Sequence, residues 1–316
     1  MREYTDKIRE IAKRLLENKT VDVFIGYRKG TVAMMNEPLL IQDPGKAELL
    51  HWDSNCGLNL CNYLNKRTEK IGIIANGCNS RNIVTHIVEN QIKREQLYIV
   101  GIPCTGMMDH RAVARAVGQR DITAVDEAGE GFRVSGKGFD ERFKKKDFLQ
   151  RNCAVCTHHN PVIYDQMIGE PVEEPEGVKA YSDVESIEEM SAEKKWAFFT
   201  QLISKCIRCY ACRNACPLCY CPTCFVDESK PQWVGKSTDP TDTMTFHFLR
   251  AYHCAGRCTD CGACERVCPV GISMRQFTKK LNKDAKEYFS WEAGLSLEER
   301  PPLDRYRPDD SNEFIK

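Results

Sequence analysis

The sequence predicts an α/β domain followed by a smaller, cysteine-rich α+β domain, on three observations. Short apolar runs alternate with helical patterns as far as Gly169, as layered α/β structures require. The stretch Glu170-Pro-Val-Glu-Glu-Pro-Glu-Gly177 is acidic, proline-rich and without periodicity, which reads as a linker. Beyond it, one cysteine phrase occurs twice between Cys206 and Cys268.

The elements follow in order. Residues 1–20 are charged and helix-periodic, with Ile8, Ile11 and Leu15 on one face, and lack the apolar core of a secretion signal. Residues 21–170 form the α/β domain: Val21–Ile25, Ile71–Ala75 and Leu97–Ile102 read as strands, Asn79–Glu95 and Asp109–Val117 as helices. Residues 171–200 are the linker and a lead-in helix. Ser182 and Asp183 are candidate caps there, and Ser191–Ile203 carries a second helical pattern. Residues 201–285 make the cysteine-rich domain, and 286–316 a tail of loop composition, with Pro301-Pro302 and Asp309-Asp310. A tail like that is expected to order on a neighbouring subunit.

Composition narrows the function. Lys+Arg and Asp+Glu each number 45, so the formal charge is zero and nothing favours nucleic acid. No apolar run is long enough to span a membrane, so a cytoplasmic location is expected. In a reducing compartment, 18 cysteines are metal ligands before they are disulfides.

The doubled phrase is Cys206-x-x-Cys209-x-x-Cys212-x-x-x-Cys216-Pro217 and Cys258-x-x-Cys261-x-x-Cys264-x-x-x-Cys268-Pro269. This spacing resembles that of bacterial two-cluster ferredoxins, in which the fourth cysteine ligates the other cluster. Two 4Fe–4S clusters are therefore expected, one on Cys206, Cys209, Cys212 and Cys268, the other on Cys258, Cys261, Cys264 and Cys216. A zinc ribbon would instead present paired Cys-x-x-Cys knuckles. The second domain is accordingly expected to be α+β and ferredoxin-like.

The first domain holds six more cysteines: Cys56, Cys61, Cys78, Cys104, Cys153 and Cys156. Cys104 follows a strand at the sheet edge where cofactors gather. Cys153-Ala-Val-Cys156, after a basic helix, has metal-clip spacing. A third cluster is expected on Cys153, Cys156 and Cys104, with its last ligand from Cys56, Cys61 or Cys78. Packing as small hydrophobes is the competing reading for Cys104 and Cys78.

Gly101-Ile-Pro-Cys104, Cys153-Ala-Val-Cys156 and the run ending in Ile168-Gly169 resemble the beta subunit of coenzyme F-420 hydrogenases and dehydrogenases, over Val21 to Gly169. The resemblance implies a cluster held beside a flavin, FAD. Two features differ: the ferredoxin module follows this domain here, and the family's glycine-rich turn reads Asn76-Gly77-Cys78-Asn79-Ser80.

Cys219, Cys221, Cys224 and Cys254 flank the two motifs and raise a fourth centre, iron–sulfur or zinc. On the helix Asp242–His253, Phe246, Leu249 and His253 share a face. His247 and His253 read as metal ligands, sulfur hydrogen-bonders or, more commonly, structural residues. Trp233, Tyr210 and Tyr220 are expected to shield clusters, and Lys144–Lys146 to be a solvated helix face. The functional expectation is an iron–sulfur electron-transfer subunit of a cytosolic oxidoreductase of hydrogenase, formate dehydrogenase or heterodisulfide-reductase type. Its partners would be catalytic or flavin-bearing subunits. The alternative is a flavoenzyme passing electrons between a deazaflavin or nicotinamide and the clusters; a zinc-stabilised interaction module is a third reading.

Overall fold

A computed structural model describes residues 2–304 and 308. The chain divides into two compact units, Met1–Ser80 with Asn90–Val178, and Arg81–Glu89 with Lys179–Lys316.

The first unit is built on a five-stranded sheet of order β2-β1-β3-β4-β8. Its strands are β1 (Val23–Arg28), β2 (Glu37–Ile41), β3 (Ile71–Ala75), β4 (Leu97–Gly101) and β8 (Gln166–Met167). β1, β3, β4 and β8 run parallel, with Ile25 opposite Ile73 and Ile73 opposite Ile99, while β2 closes one edge antiparallel. Every residue of β3 is buried, as a parallel strand covered on both faces requires. The helix α1 (Arg2–Glu17) buries Ile8, Ile11, Leu15 and Leu16. The helix α2 (Gly77–Val88) follows β3, and ends earlier than the expected Glu95 because Asn90 turns left-handed, φ 57°. The helix α3 (His110–Ala116) starts where expected: Asp109 accepts from Arg111 N at 2.9 Å and Ala112 N at 3.2 Å.

A second sheet was not foreseen. β5 (Ile122–Ala128), β6 (Gly131–Gly136) and β7 (Phe139–Lys144) form an antiparallel meander that buries Phe132 and Val134 and leaves most of its other residues partly or fully exposed. Lys144–Lys146 is consequently no helix face. It ends β7 and starts a short 3-10 turn, and Lys145 Nζ donates to Thr105 Oγ1 at 2.9 Å. That turn, not a basic helix, precedes the one-turn α4 (Arg151–Ala154) carrying Cys153.

The second unit corrects the α+β expectation. Both sheets lie in the first unit, and the described residues of the second form helices only. These are α5 (Ser182–Glu188), α6 (Ala192–Ile203), α7 (Ala211–Asn214), α8 (Pro240–His253), α9 (Ala263–Arg266) and α10 (Arg275–Phe289). The reason is local. Ser191 caps α6, and Asp239 with Pro240 starts α8, so the segments flanking the cysteine runs carry helix signals rather than alternation.

The expected linker lies at the end of the first unit, with Glu174 accepting from His159 N at 2.7 Å and Asn160 N at 2.9 Å. The first part of the expected tail packs within the second unit: Trp291 Nε1 donates to Gly256 O at 2.6 Å, and Ala293 is buried. Asp309 and Asp310 lie outside the described residues.

Arg81–Glu89 brings His86 into the second unit, fully buried, its Nε2–H on the Pro217 carbonyl at 2.9 Å. Burial pulls its pKa below the ordinary 6.5, against the opposing pull of that carbonyl. A depressed histidine contributes stability that is full above 6.5 and is lost as pH falls through the folded value. Chemical unfolding midpoints should therefore drop between pH 7.5 and 5.5, and His86→Gln should flatten that part of the profile.

Candidate metal centres

The sequence repeat is also a backbone repeat. Arg208 and Tyr210 in the first motif have φ 50° and 58°; Asp260 and Gly262 at the matching positions of the second have 55° and 72°. These left-handed residues curl each loop so that an amide meets the leading sulfur. Arg208 N donates to Cys206 Sγ at 3.4 Å and Asp260 N to Cys258 Sγ at 3.3 Å. Each loop then enters a single helical turn that carries the third cysteine, Cys212 on α7 and Cys264 on α9.

Cys206, Cys209, Cys212 and Cys268 line one cavity, together with Tyr210, Phe246, His247, Ile272 and Met274. A cysteine 56 to 62 positions beyond the first three thus shares their cavity. Its lining has four soft thiols and no carboxylate, a donor set that suits a 4Fe–4S cube. Among the described residues no three His, Cys, Asp or Glu close on a single ion, whereas a cube spreads its thiolates over four irons. Burial raises the pKa of Cys206 and Cys212, so these thiols ionise on meeting metal rather than before.

The second set mirrors the first. Cys258 is pushed up to about 12 by burial, with Asp260, Cys261 and Cys216 beside it. Burial also raises Cys264, which faces Cys216 and Cys258. Cys216 packs with Leu218, Cys254, Cys219 and Cys258. The Cys219 and Cys254 thiols donate to its sulfur and hold Cys216 well below the usual thiol range; Cys219 itself goes up to about 12.

The four additional thiols are not gathered in one place. Cys219 and Cys254 meet on Cys216, Cys224 packs with Phe225 in the core around Cys212, Phe246 and Cys268, and Cys221 is exposed.

The buried face of α8 is Thr243, Phe246, His247, Arg250 and Ala251; of the expected Phe246, Leu249 and His253, Phe246 alone is buried. His247 Nε2 lies 3.2 Å from Cys206 Sγ. Burial first, then the Arg250 and Arg208 charges, pull its pKa down to about 4, so a neutral ring faces the sulfur. His253 is exposed and meets the edge of Phe225. Tyr210 lines the cavity, whereas Tyr220 binds Glu89 and Arg257, and Trp233 is 65% exposed.

In the first unit, Asn76 lies between two thiols. Its Oδ1 accepts from Cys78 Sγ at 3.2 Å, and its Nδ2 points at Cys104 Sγ, 3.8 Å away. Gly106 N also reaches Cys104 Sγ at 3.4 Å, and a Cβ on Gly106 would stand 3.4 Å from Cys153 Cβ. Met107 N donates to Cys153 Sγ, and Cys156 Sγ meets the His158 carbonyl. The Asn76 turn thus brings Cys78 and Cys104 together, and the Gly106 bend sets Cys153 beside the Cys104 loop. Cys56 and Cys61 are fully buried, on Asn36 Nδ2 and the Asn79 carbonyl respectively. The β3–α2 turn is where a flavin pyrophosphate would rest in a doubly wound domain. Here a Cβ on Gly77 would meet the His158 carbonyl oxygen at 2.1 Å, and Asn76 Oδ1 already accepts from Asn79 N. This turn does not fit a pyrophosphate. Gly77→Ala should cost about 1–3 kcal/mol, typical of an overpacked site, readable as a lowered unfolding midpoint.

The motif geometry defines an iron–sulfur protein class, and residues 202–272 match the 4Fe-4S dicluster domain model. Over 92% of its length the chain is homologous to the F420-dependent formate dehydrogenase subunit beta of Methanocaldococcus jannaschii, at 23% identity and covering 92% of that protein. It is similarly related to the F420-dependent formate dehydrogenase 1 subunit beta of Methanococcus maripaludis, 22% identical over 92% of this chain and 91% of the relative. A chain of the F420-reducing NiFe hydrogenase complex of Methanosarcina barkeri aligns at 14% identity and TM-score 0.39, over 48% of this chain and 59% of that one. Among the described residues no helix is long and apolar enough to cross a membrane.

Proposed function

We propose that the chain is the iron–sulfur subunit of a multi-subunit oxidoreductase of the formate dehydrogenase or hydrogenase type, relaying electrons in the cytoplasm. The observation that carries this reading is the single cavity lined by Cys206, Cys209, Cys212 and Cys268. The crossed assignment follows, with Cys258, Cys261, Cys264 and Cys216 holding a second 4Fe–4S cluster and Cys78, Cys104, Cys153 and Cys156 a third. Bound clusters supply one-electron storage.

The remaining work belongs to the protein. Phe246, Ile272 and Met274 keep water from the first cavity. The amides of Arg208, Asp260 and Ile272 and the His247 ring place hydrogen bonds on ligand sulfurs, which tunes reduction potential. Cys219 and Cys254 support Cys216, in preference to a fourth centre with Cys221 and Cys224. Catalytic or flavin-bearing partners, and a deazaflavin as the distant donor or acceptor, follow from kinship to subunits named for F420 dependence. That kinship is also what supports the alternative, FAD in the first unit.

Anaerobic purification followed by iron, sulfide and flavin analysis tests the reading. About twelve irons per chain with matching sulfide are expected, four per cluster. Zinc without sulfide would overturn it, about sixteen irons would restore the fourth centre, and one flavin per chain would favour the flavoenzyme.

A further inference from the structure

The inner face of α8 carries a positive charge that the chain does not balance. Arg250 is 6% exposed. Two other buried arginines of this unit have acidic partners: Arg208 lies 3.9 Å from Asp242, and Arg275 pairs with Asp183 and Asp260. Among the described residues, Arg250 has none. One of its terminal nitrogens donates to the Cys212 carbonyl at 3.0 Å, the other touches Met274 Sδ at 3.8 Å, and its Nε has no partner.

A buried guanidinium held only by a carbonyl and a thioether is a poor arrangement, because removing a charge from water is repaid only by an opposite charge nearby. Burial works against the Arg250 charge, but the groups around it are thiols: Cys216, Cys254, Cys264 and Cys212. They come from both halves of the crossed ligand sets, Cys212 from one and Cys216 and Cys264 from the other. A thiolate-ligated 4Fe–4S cluster is an anion, and it gains one further negative charge when an electron arrives.

We propose that Arg250 is the shared counter-cation of the two clusters in this unit. It balances thiolate charge on both, favours the reduced form of each, and weakens the repulsion that a first electron exerts on a second. This inference rests on the ligand assignment proposed above. No proton or bond changes hands. One electron enters a cluster, and the resident cation offsets its charge.

The test uses the full chain, purified anaerobically, as wild type, Arg250→Gln and Arg250→Lys. Iron and sulfide are counted first, and a redox titration is then followed by electron paramagnetic resonance. With clusters retained, Arg250→Gln should move both midpoint potentials to more negative values, while Arg250→Lys should stay near wild type. Loss of iron in Arg250→Gln with retention in Arg250→Lys would also support a required cation. Unchanged potentials in a fully loaded Arg250→Gln protein would overturn the proposal. So would a shift confined to one cluster, or equal losses in Arg250→Gln and Arg250→Lys, which would make the role one of shape rather than charge. A wild-type chain without iron and sulfide would instead defeat the ligand assignment itself.

Discussion

Cys268→Ser is expected to abolish the cluster whose other three ligands are Cys206, Cys209 and Cys212, although they lie in the other motif. The four share one cavity, and the lining of that cavity includes no fifth thiol to take the place of Cys268. Iron should fall by about four per chain, and the resonance signal of the remaining cluster should persist. Loss of the Cys258-Cys261-Cys264 cluster instead would refute crossed ligation. The reciprocal variant, Cys216→Ser, should damage the second cluster while sparing the first. Its effect should be milder, because Cys219 and Cys254 already stand against the Cys216 sulfur.

Cys153→Ser is expected to remove about four further irons while leaving both signals from the second unit intact. The thiol is held by Met107 N, and the Gly106 bend sets it beside the Cys104 loop. Cys56→Ser should leave iron unchanged, since that thiol is buried and already accepts from Asn36 Nδ2. Equal iron in wild type and Cys153→Ser would return these cysteines to packing.

The parts legible in the sequence are those fixed by short-range rules. Ligand spacing within each motif, the Asp109 and Ser191 caps and the wholly apolar β3 all depend on residues a few positions apart. What the sequence did not disclose depends on long-range placement. Cys56, Cys61 and Cys78 look alike as residues, because a buried thiol is a small hydrophobe until a neighbour such as Asn76 reveals what it faces. The meander from Ile122 to Lys144 was missed because its strands are mostly exposed and carry a weak alternation. Ferredoxin-like spacing suggested ferredoxin-like strands, but the loop geometry that holds cysteines is independent of what flanks it. Arg250 carried no signal either: an arginine on a helix usually faces water, and only the packing of the Phe246 face of α8 against the core turns it inward.

The left-handed residues in the cysteine loops have a bearing on how the protein is made. Arg208, Tyr210 and Asp260 are not glycines, and such a conformation costs each about 1–2 kcal/mol. The amide-to-sulfur contacts and the side-chain partners of Arg208 and Asp260 offset part of that cost. Metal supplies the missing stabilisation, which joins the last stage of folding to cluster delivery. The curled loops would then reach their full stability only once the cubes have arrived.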